Sequence, residues 1–158
     1  MTQPTPVPRI FQINTSPGGV PKLARQRAQV TFDGLDEDRQ QNLKHHGGPD
    51  RALCLYSLER ILALQAEGHP IFPGAAGENL TISGLPWEEI EPGQRLRLGE
   101  EVEIEVVSYT VPCATIKGCF DGGNANRIAQ KHHPGWSRVY ARVVRPGPIA
   151  VGMKVTRI

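Results

Sequence analysis

Apolar and polar residues alternate most cleanly over residues 95–106. Leu96 and Leu98 alternate with Arg95, Arg97 and Gly99. Beyond Gly99-Glu100, Val102, Ile104 and Val106 alternate with Glu101, Glu103 and Glu105. A period of two predicts a β-hairpin with one dry and one wet face, with the arginines and glutamates pairing across the wet one. Similar but shorter signals recur along the chain. "RIFQINTS" predicts a first strand, and "ARQRAQVTFDGL" predicts a second that runs into a loop. Leu53, Cys54, Leu55 and Tyr56 form a short apolar run bounded by turn residues, as a strand buried on both faces does. "PIFPGAAGENLTISGL" predicts a loop and then a strand, and "SRVYARVVRPGPIAVGMKVTRI" two further strands around Pro146-Gly147.

The helical signals are few. Ser57 is placed as an N-cap, with Glu59 in the first turn and Leu58, Ile61, Leu62 and Gln65 at helical spacing before Gly68. The spacing predicts a helix over 57–67. "NANRIAQKHH" predicts a second, short one capped by Asn124. The expected fold is mostly β, a closed β-barrel with two or three short helices. Residues 1–158 are expected to form one domain, residues 1–9 being a loose lead-in.

Composition sharpens this reading in three respects. Seventeen glycines and fourteen prolines with only 6% aromatic residues favour many turns between short strands over a helical bundle. A formal net charge of +2 is too mild to indicate a nucleic-acid partner, although it allows a local basic pocket for a small anion. Three cysteines, Cys54, Cys113 and Cys119, do not make a disulfide framework. The opening "MTQPTPVPRI" lacks the pattern of a signal peptide, and no apolar run approaches the roughly 18 residues of a membrane helix. The expectation is a cytoplasmic protein with reduced thiols and no membrane association.

Candidate chemistry concentrates in three stretches. In "YTVPCATIKGCF", Cys113 follows a proline where an apolar strand ends. Strand-to-loop junctions often carry reactive groups, yet free cysteine is also commonly buried, so local sequence leaves both readings open. Cys54, between two leucines, reads as core. A zinc site fits poorly: five residues separate Cys113 from Cys119, against the usual two to four, even with His45-His46 and His132-His133 as possible completions. In "KHHGGPDR", two glycines let backbone amides approach a ligand, while Lys44 and Arg51 flank them with positive charge. In "GENLTISGL", Glu78 and Asn79 either orient a polar ligand or cap a turn. Trp136 and Tyr140 read as core or rim aromatics.

Taken in order, "HGGPDRALCLYS", "GENLTISGL", "PGQRLRLGEEVEIEVVSYTVPC" and "GWSRVYARVVRPGPIAVGMKV" resemble the MOSC family. These are the molybdenum cofactor sulfurase C-terminal domains, here in the stand-alone bacterial form similar to the 6-N-hydroxylaminopurine resistance protein. The resemblance runs from about Gly18 to the C-terminus. It departs from the family pattern at Gly152-Met153, where many members have glycine-aspartate, and at "LDEDRQ".

The resemblance implies a β-barrel that binds the molybdenum cofactor. It places the metal ligand, or the sulfur-carrying thiol, on Cys113, and further site residues on Lys22, His46, Glu78 and Asn79. Lys22, His46 and Arg51 are then expected to neutralise the cofactor's phosphate. Two activities follow. One is a reductase of N-hydroxylated small molecules served by a separate electron donor. The other is a sulfur carrier that takes a persulfide on Cys113 from a cysteine desulfurase, which itself holds the pyridoxal phosphate. A non-catalytic anion-binding barrel is the third possibility.

Overall fold

The structure, a computed structural model, describes residues 6–38 and 48–158. Eleven strands are present among these residues: β1 (Arg9–Thr15), β2 (Leu23–Arg25), β3 (Arg27–Thr31), β4 (Gly34–Leu35), β5 (Leu53–Ser57), β6 (Leu80–Ser83), β7 (Arg95–Leu98), β8 (Val102–Tyr109), β9 (Val139–Arg145), β10 (Gly147–Ala150) and β11 (Val155–Arg157). One α-helix, α1 (Leu58–Ala66), follows β5 directly, and the other helical segments are short 3-10 turns.

The expected hairpin is β7–β8. Arg95 faces Glu105 and Arg97 faces Glu103 in the antiparallel register. The ion pairs form across it, at 3.0 Å for Arg95–Glu105 and 3.4 Å for Arg97–Glu103. Arg142 of β9 adds a second contact to Glu105 at 3.0 Å. Hydrogen bonds from Arg142 and Arg95 hold the Glu105 carboxyl below the usual carboxylate range. On the dry face Leu96, Leu98, Val102, Ile104 and Val106 are fully buried.

The helix also forms as its spacing predicts. The Ser57 hydroxyl accepts from the Arg60 amide at 3.1 Å, while Ile61 and Leu64 face the core. Gly68 turns the chain at φ +99°, where the His69 amide reaches back to the Leu64 carbonyl. The second predicted helix is a 3-10 turn, Ala125–Ile128, capped by Asn124 as expected. Two stretches contain more strands than expected: the first has two more, because Gly34–Leu35 in its expected loop forms β4, and the second has one more. A bend at Gln26 splits the predicted second strand into β2 and β3, which join different sheets. The C-terminal stretch forms β9, β10 and β11.

The closed barrel is not what forms. The larger sheet has eight strands in the order β11-β7-β8-β9-β5-β6-β1-β2, and β10-β3-β4 make a separate three-stranded sheet. The eight-stranded sheet therefore has two ends. Its nearest approach to closure is a single bridge, Arg9–Lys154, with backbone bonds joining Ile10 to Gly152 and Met153. The physical reason lies in β1. Its Ile13–Thr15 half is already paired with β2 on that edge, so only the Pro8–Ile10 end is left to meet the C-terminal segment, where one bridge and three backbone hydrogen bonds form but no strand ladder.

The core lies between the two sheets and α1, with Ile10, Val30, Leu53, Leu55, Tyr56, Ile61, Leu80 and Ile149 among its buried members. We expect Ile104→Ala to cost about 2–5 kcal/mol of stability. Arg97→Ala, on the wet face of the same hairpin, should cost under about 1 kcal/mol. Urea unfolding of both variants measures the contrast.

Candidate functional site

β5 and β6 run parallel, with Leu55 opposite Leu80. Just before β6 the chain turns through Gly74 and Gly77. Gly74 sits at φ +91°, and a Cβ there would lie 2.5 Å from the Lys22 carbonyl oxygen. Only glycine lets the Lys22 backbone come this close, and the Lys22 amide donates to the Gly74 carbonyl at 3.0 Å. This contact brings the Lys22 side chain into the interior.

There Lys22 meets Asp38, with Nζ 2.6 Å from Oδ1 and both side chains almost fully buried. Asp38 also accepts from the Ser16 amide at 3.0 Å and from Asn79 Nδ2 at 2.8 Å. Asn79 binds β5 twice: its backbone amide donates to the Cys54 carbonyl at 2.7 Å, and its Oδ1 accepts from the Cys54 amide at 2.9 Å. Asn14 completes the layer, its Nδ2 donating to the Glu78 carbonyl and to Thr81 Oγ1, each at 3.1 Å.

Glu78 is completely buried. Thr81 donates to its Oε2 at 3.0 Å, whereas Oε1 has no partner. Burial pushes this carboxyl up to about 7, and the Gly74 and Glu78 amides, Thr81 and Arg138 offset only part of the effect.

Arg138 approaches from the other side. It is 5% exposed, and its NH1 donates to the Ala76 carbonyl at 2.6 Å. Its Nε and NH2 are buried and have no partner. The segment before it is pinned firmly: Tyr56 Oη donates to the Trp136 carbonyl and Trp87 Nε1 to the Ser137 carbonyl, each at 2.7 Å. Trp136 itself lies between two guanidiniums, Arg60 at 4.4 Å and Arg127 at 4.1 Å from the ring centre.

Cys113 lies three residues past Thr110, whose amide donates to the Arg138 carbonyl at 2.9 Å. It is half-buried and extended, and it precedes the 3-10 turn Ala114–Cys119. Its Sγ is 2.7 Å from Thr115 Oγ1. The other two cysteines are buried. Burial pushes the Cys54 thiol up, and pushes the Cys119 thiol up to about 11. Tyr140, opposite Cys54 in the β5–β9 ladder, joins the parts. Burial and then the Cys54 thiol raise its phenol to about 12, and Arg138, Arg51 and Cys113 are its further electrostatic neighbours. Arg51 stands over the Tyr140 ring at 5.3 Å.

The structure thus brings Lys22, Glu78 and Asn79 into one buried layer, with Cys113 and Arg51 near Tyr140 beside it. His46 lies outside the described residues. Lys22 differs from its expected role in one respect, because Asp38 already compensates its charge. Three polar members were missed in the sequence: Asp38, Asn14 and Arg138. Asn14 and Arg138 each stand in or beside an apolar strand, which is a signal of a kind, whereas Asp38 sits in an acidic run with nothing to single it out. His132 and His133 are exposed and, with His69, Asn124 and Arg127, line a separate polar pocket of about 460 Å³. Among the described residues no group of three or more histidines, cysteines or carboxylates is placed to hold a metal ion. No helix among them is long and apolar enough to cross a membrane.

The fold and site define a β-rich domain that keeps one half-open thiol beside a sealed polar interior. Residues 42–156 match the family model of the MOSC domain, and the chain belongs to that family, which is related to molybdenum cofactor sulfurase. The chain is 35% identical over 130 residues to YiiM of Escherichia coli, covering 77% of this chain and 54% of that protein. It is 29% identical over 136 residues to YflK of Bacillus subtilis, covering 85% and 60%. A Gibberella moniliformis protein named as a reductase is 30% identical over 112 residues, which is 68% of this chain and 19% of that one. The crystal structure of Escherichia coli YiiM matches with a TM-score of 0.72 at 26% identity, over 97% of this chain and 70% of that one. The chain thus spans little more than half the length of the first two relatives.

Glu78 generates a pH prediction. A carboxyl raised in the folded state binds its proton more tightly there than in the unfolded chain. Stability is therefore highest below the unfolded value and falls as pH rises from about 4.5 through about 7, by about 3 kcal/mol in all. Glu78→Gln should remove most of that fall, which urea unfolding at pH 5 and pH 8 measures. An unchanged slope in the variant would assign the pH dependence to another group.

Proposed function

We propose that the chain binds the molybdenum cofactor through Cys113 and reduces N-hydroxylated small molecules. The observation that carries this reading is the contrast among the thiols: Cys113 alone is half-open, while burial holds Cys54 and Cys119 protonated. A thiolate is a soft donor of the kind molybdenum accepts. The cofactor's fit rests on the polar atoms left without partners in the adjoining interior, Glu78 Oε1 and the Arg138 Nε and NH2 groups. Membership of a family related to molybdenum cofactor sulfurase and a reductase among the relatives support it.

When bound, the cofactor would supply two-electron redox chemistry. The chain's own residues bind and orient. Cys113 gives up its thiol proton on ligation, and the Thr115 hydroxyl at 2.7 Å is placed to donate to the resulting sulfur anion. Glu78 is a buried acid able to hold a proton near neutral pH. The overall change is R–NHOH + 2e⁻ + 2H⁺ → R–NH₂ + H₂O. A separate redox protein supplies the electrons, and its identity belongs to the same proposal.

The test is the molybdenum content per chain of protein made in a cofactor-producing host, beside Cys113→Ser. We expect near-stoichiometric metal in the wild type, its loss in the variant, and loss of N-hydroxylaminopurine reduction with it. Metal retained in Cys113→Ser would overturn the ligand assignment. If neither protein holds metal, but Cys113 gains a sulfur from an active cysteine desulfurase by mass spectrometry, the sulfur-carrier reading takes its place.

A further inference from the structure

His69 stands apart from the polar layer, three residues past the end of α1, with its amide bonded to the Leu64 carbonyl. Its side chain is 15% exposed and lies edge-on to the buried Phe120 ring at 5.4 Å. The two ring nitrogens have different partners. Nδ1 is 3.0 Å from the Asp121 amide nitrogen, and Nε2 is 3.4 Å from Glu67 Oε1. A backbone amide can only donate, so Nδ1 is the bare nitrogen that accepts. The proton of the neutral ring is then on Nε2, where the Glu67 carboxylate faces it.

This one acceptor ties the end of α1 to the 3-10 turn Asp121–Gly123. The turn's own bond, from the Gly123 amide to the Phe120 carbonyl at 2.9 Å, is local and anchors it to no other element. A proton on Nδ1 would set one N–H against another at 3.0 Å and remove the tie. The groups around the ring decide which side gives way. Beyond α1, Glu67 attracts the imidazolium. Arg127 grips Glu67 at 2.9 Å and 2.6 Å, which holds its carboxyl below the usual range, and is itself seated on the Trp136 ring at 4.1 Å. Asp121 offers its amide and not its carboxylate, which makes no ion pair with the ring among the described residues. His132 and His133 line the same polar pocket from the segment after the Ala125–Ile128 turn. The ring is thus anchored on the Glu67–Arg127 side, and the turn is the side free to move.

We propose that His69 is a proton-operated latch, which holds the Asp121–Gly123 turn against the end of α1 when the ring is neutral and releases it when the ring is charged. Histidine ordinarily changes charge between about pH 5 and 8, so release comes as the pH falls. The turn begins two residues after the buried Cys119, and the 3-10 turn Ala114–Cys119 leads back from there to Cys113. The latch therefore sets how tightly the loop beyond the half-open thiol is held. It needs no cofactor, so it stands or falls apart from the reading of Cys113.

The experiment is amide hydrogen exchange of the full chain by NMR at pH 5 and pH 8, expressed as protection relative to an unstructured peptide at each pH. Nitrogen-15 shifts of the imidazole identify the tautomer. Three variants accompany the wild type. His69→Asn puts a non-titrating acceptor, Oδ1, in the place of Nδ1. His69→Phe keeps a ring against Phe120 and has no acceptor. The double variant His132→Gln, His133→Gln removes the other imidazoles of the pocket.

We expect a bare Nδ1 at pH 8 and a loss of Asp121 amide protection of about fivefold on going to pH 5, the worth of one net hydrogen bond. The double variant should show the same loss. His69→Asn should stay protected at both values, and His69→Phe should be unprotected at both. A loss that persists in His69→Asn, or that disappears in the double variant, would assign the response to another group and overturn the latch. So would a proton on Nδ1 at pH 8, or wild-type protection that holds steady while His69 titrates. If His69→Phe folds poorly, the comparison of wild type with His69→Asn decides the matter.

Discussion

The structure turns on the double clasp that Asn79 makes on Cys54. A backbone amide and a side-chain carbonyl from one residue satisfy both backbone groups of another, at 2.7 Å and 2.9 Å. β5 lies inside the eight-stranded sheet, and β6 is its parallel partner. Parallel neighbours need a crossover, here α1 and the glycine-rich loop after it, and nothing in a crossover sets the register as a tight turn does. The Asn79 clasp sets it. The same side chain then turns its remaining amide donor to Asp38, which holds Lys22. One residue thus joins the sheet to the polar layer. An aliphatic residue in its place would orphan a buried backbone amide and an Asp38 oxygen together.

The two buried cations illustrate opposite solutions to one problem. Taking a charge out of water is costly unless a partner and further hydrogen bonds accompany it. Lys22 has both, because Asp38 is itself held by Ser16 and Asn79. Arg138 has a single neutral carbonyl, yet the segment that carries it is fixed by Tyr56, Trp87 and Thr110. The lysine is satisfied within the fold, whereas the arginine keeps two donors without partners.

Much of the architecture was legible in the sequence wherever a single local rule decided the outcome. The β7–β8 hairpin follows from alternation alone, down to the cross-strand pairs of Arg95 with Glu105 and Arg97 with Glu103. α1 follows from Ser57, Glu59 and the spacing of Ile61. The closed barrel was misjudged because alternation counts strands without saying which edges meet, and the competition between β2 and the C-terminal segment for β1 is not local. The polar layer was half legible. Glu78 and Asn79 stand in a glycine-bounded turn that draws attention, and Lys22 came with the family resemblance. Asp38 and Arg138 acquire meaning only from partners 16 and 62 residues away.

The three cysteines carry the same logic to the chemistry. Cys54 sits in the middle of a strand, its thiol 3.9 Å from the Thr110 hydroxyl, in an interior too dry to favour a thiolate. Cys119 is held against the core at the end of a 3-10 turn, and burial raises it as well. Cys113 escapes because Pro112 precedes it. Proline fixes its own φ and gives no ladder donor, so the strand that ends at Tyr109 is not extended through Cys113. Val111, 81% exposed, shows how far the chain has left the core by this point. The thiol is therefore half-open but tied by Thr110 and Tyr140 to the layer that contains Arg138 and Glu78. Exposure here is a matter of position: the sequence holds three cysteines, and the end of β8 leaves one of them half-open.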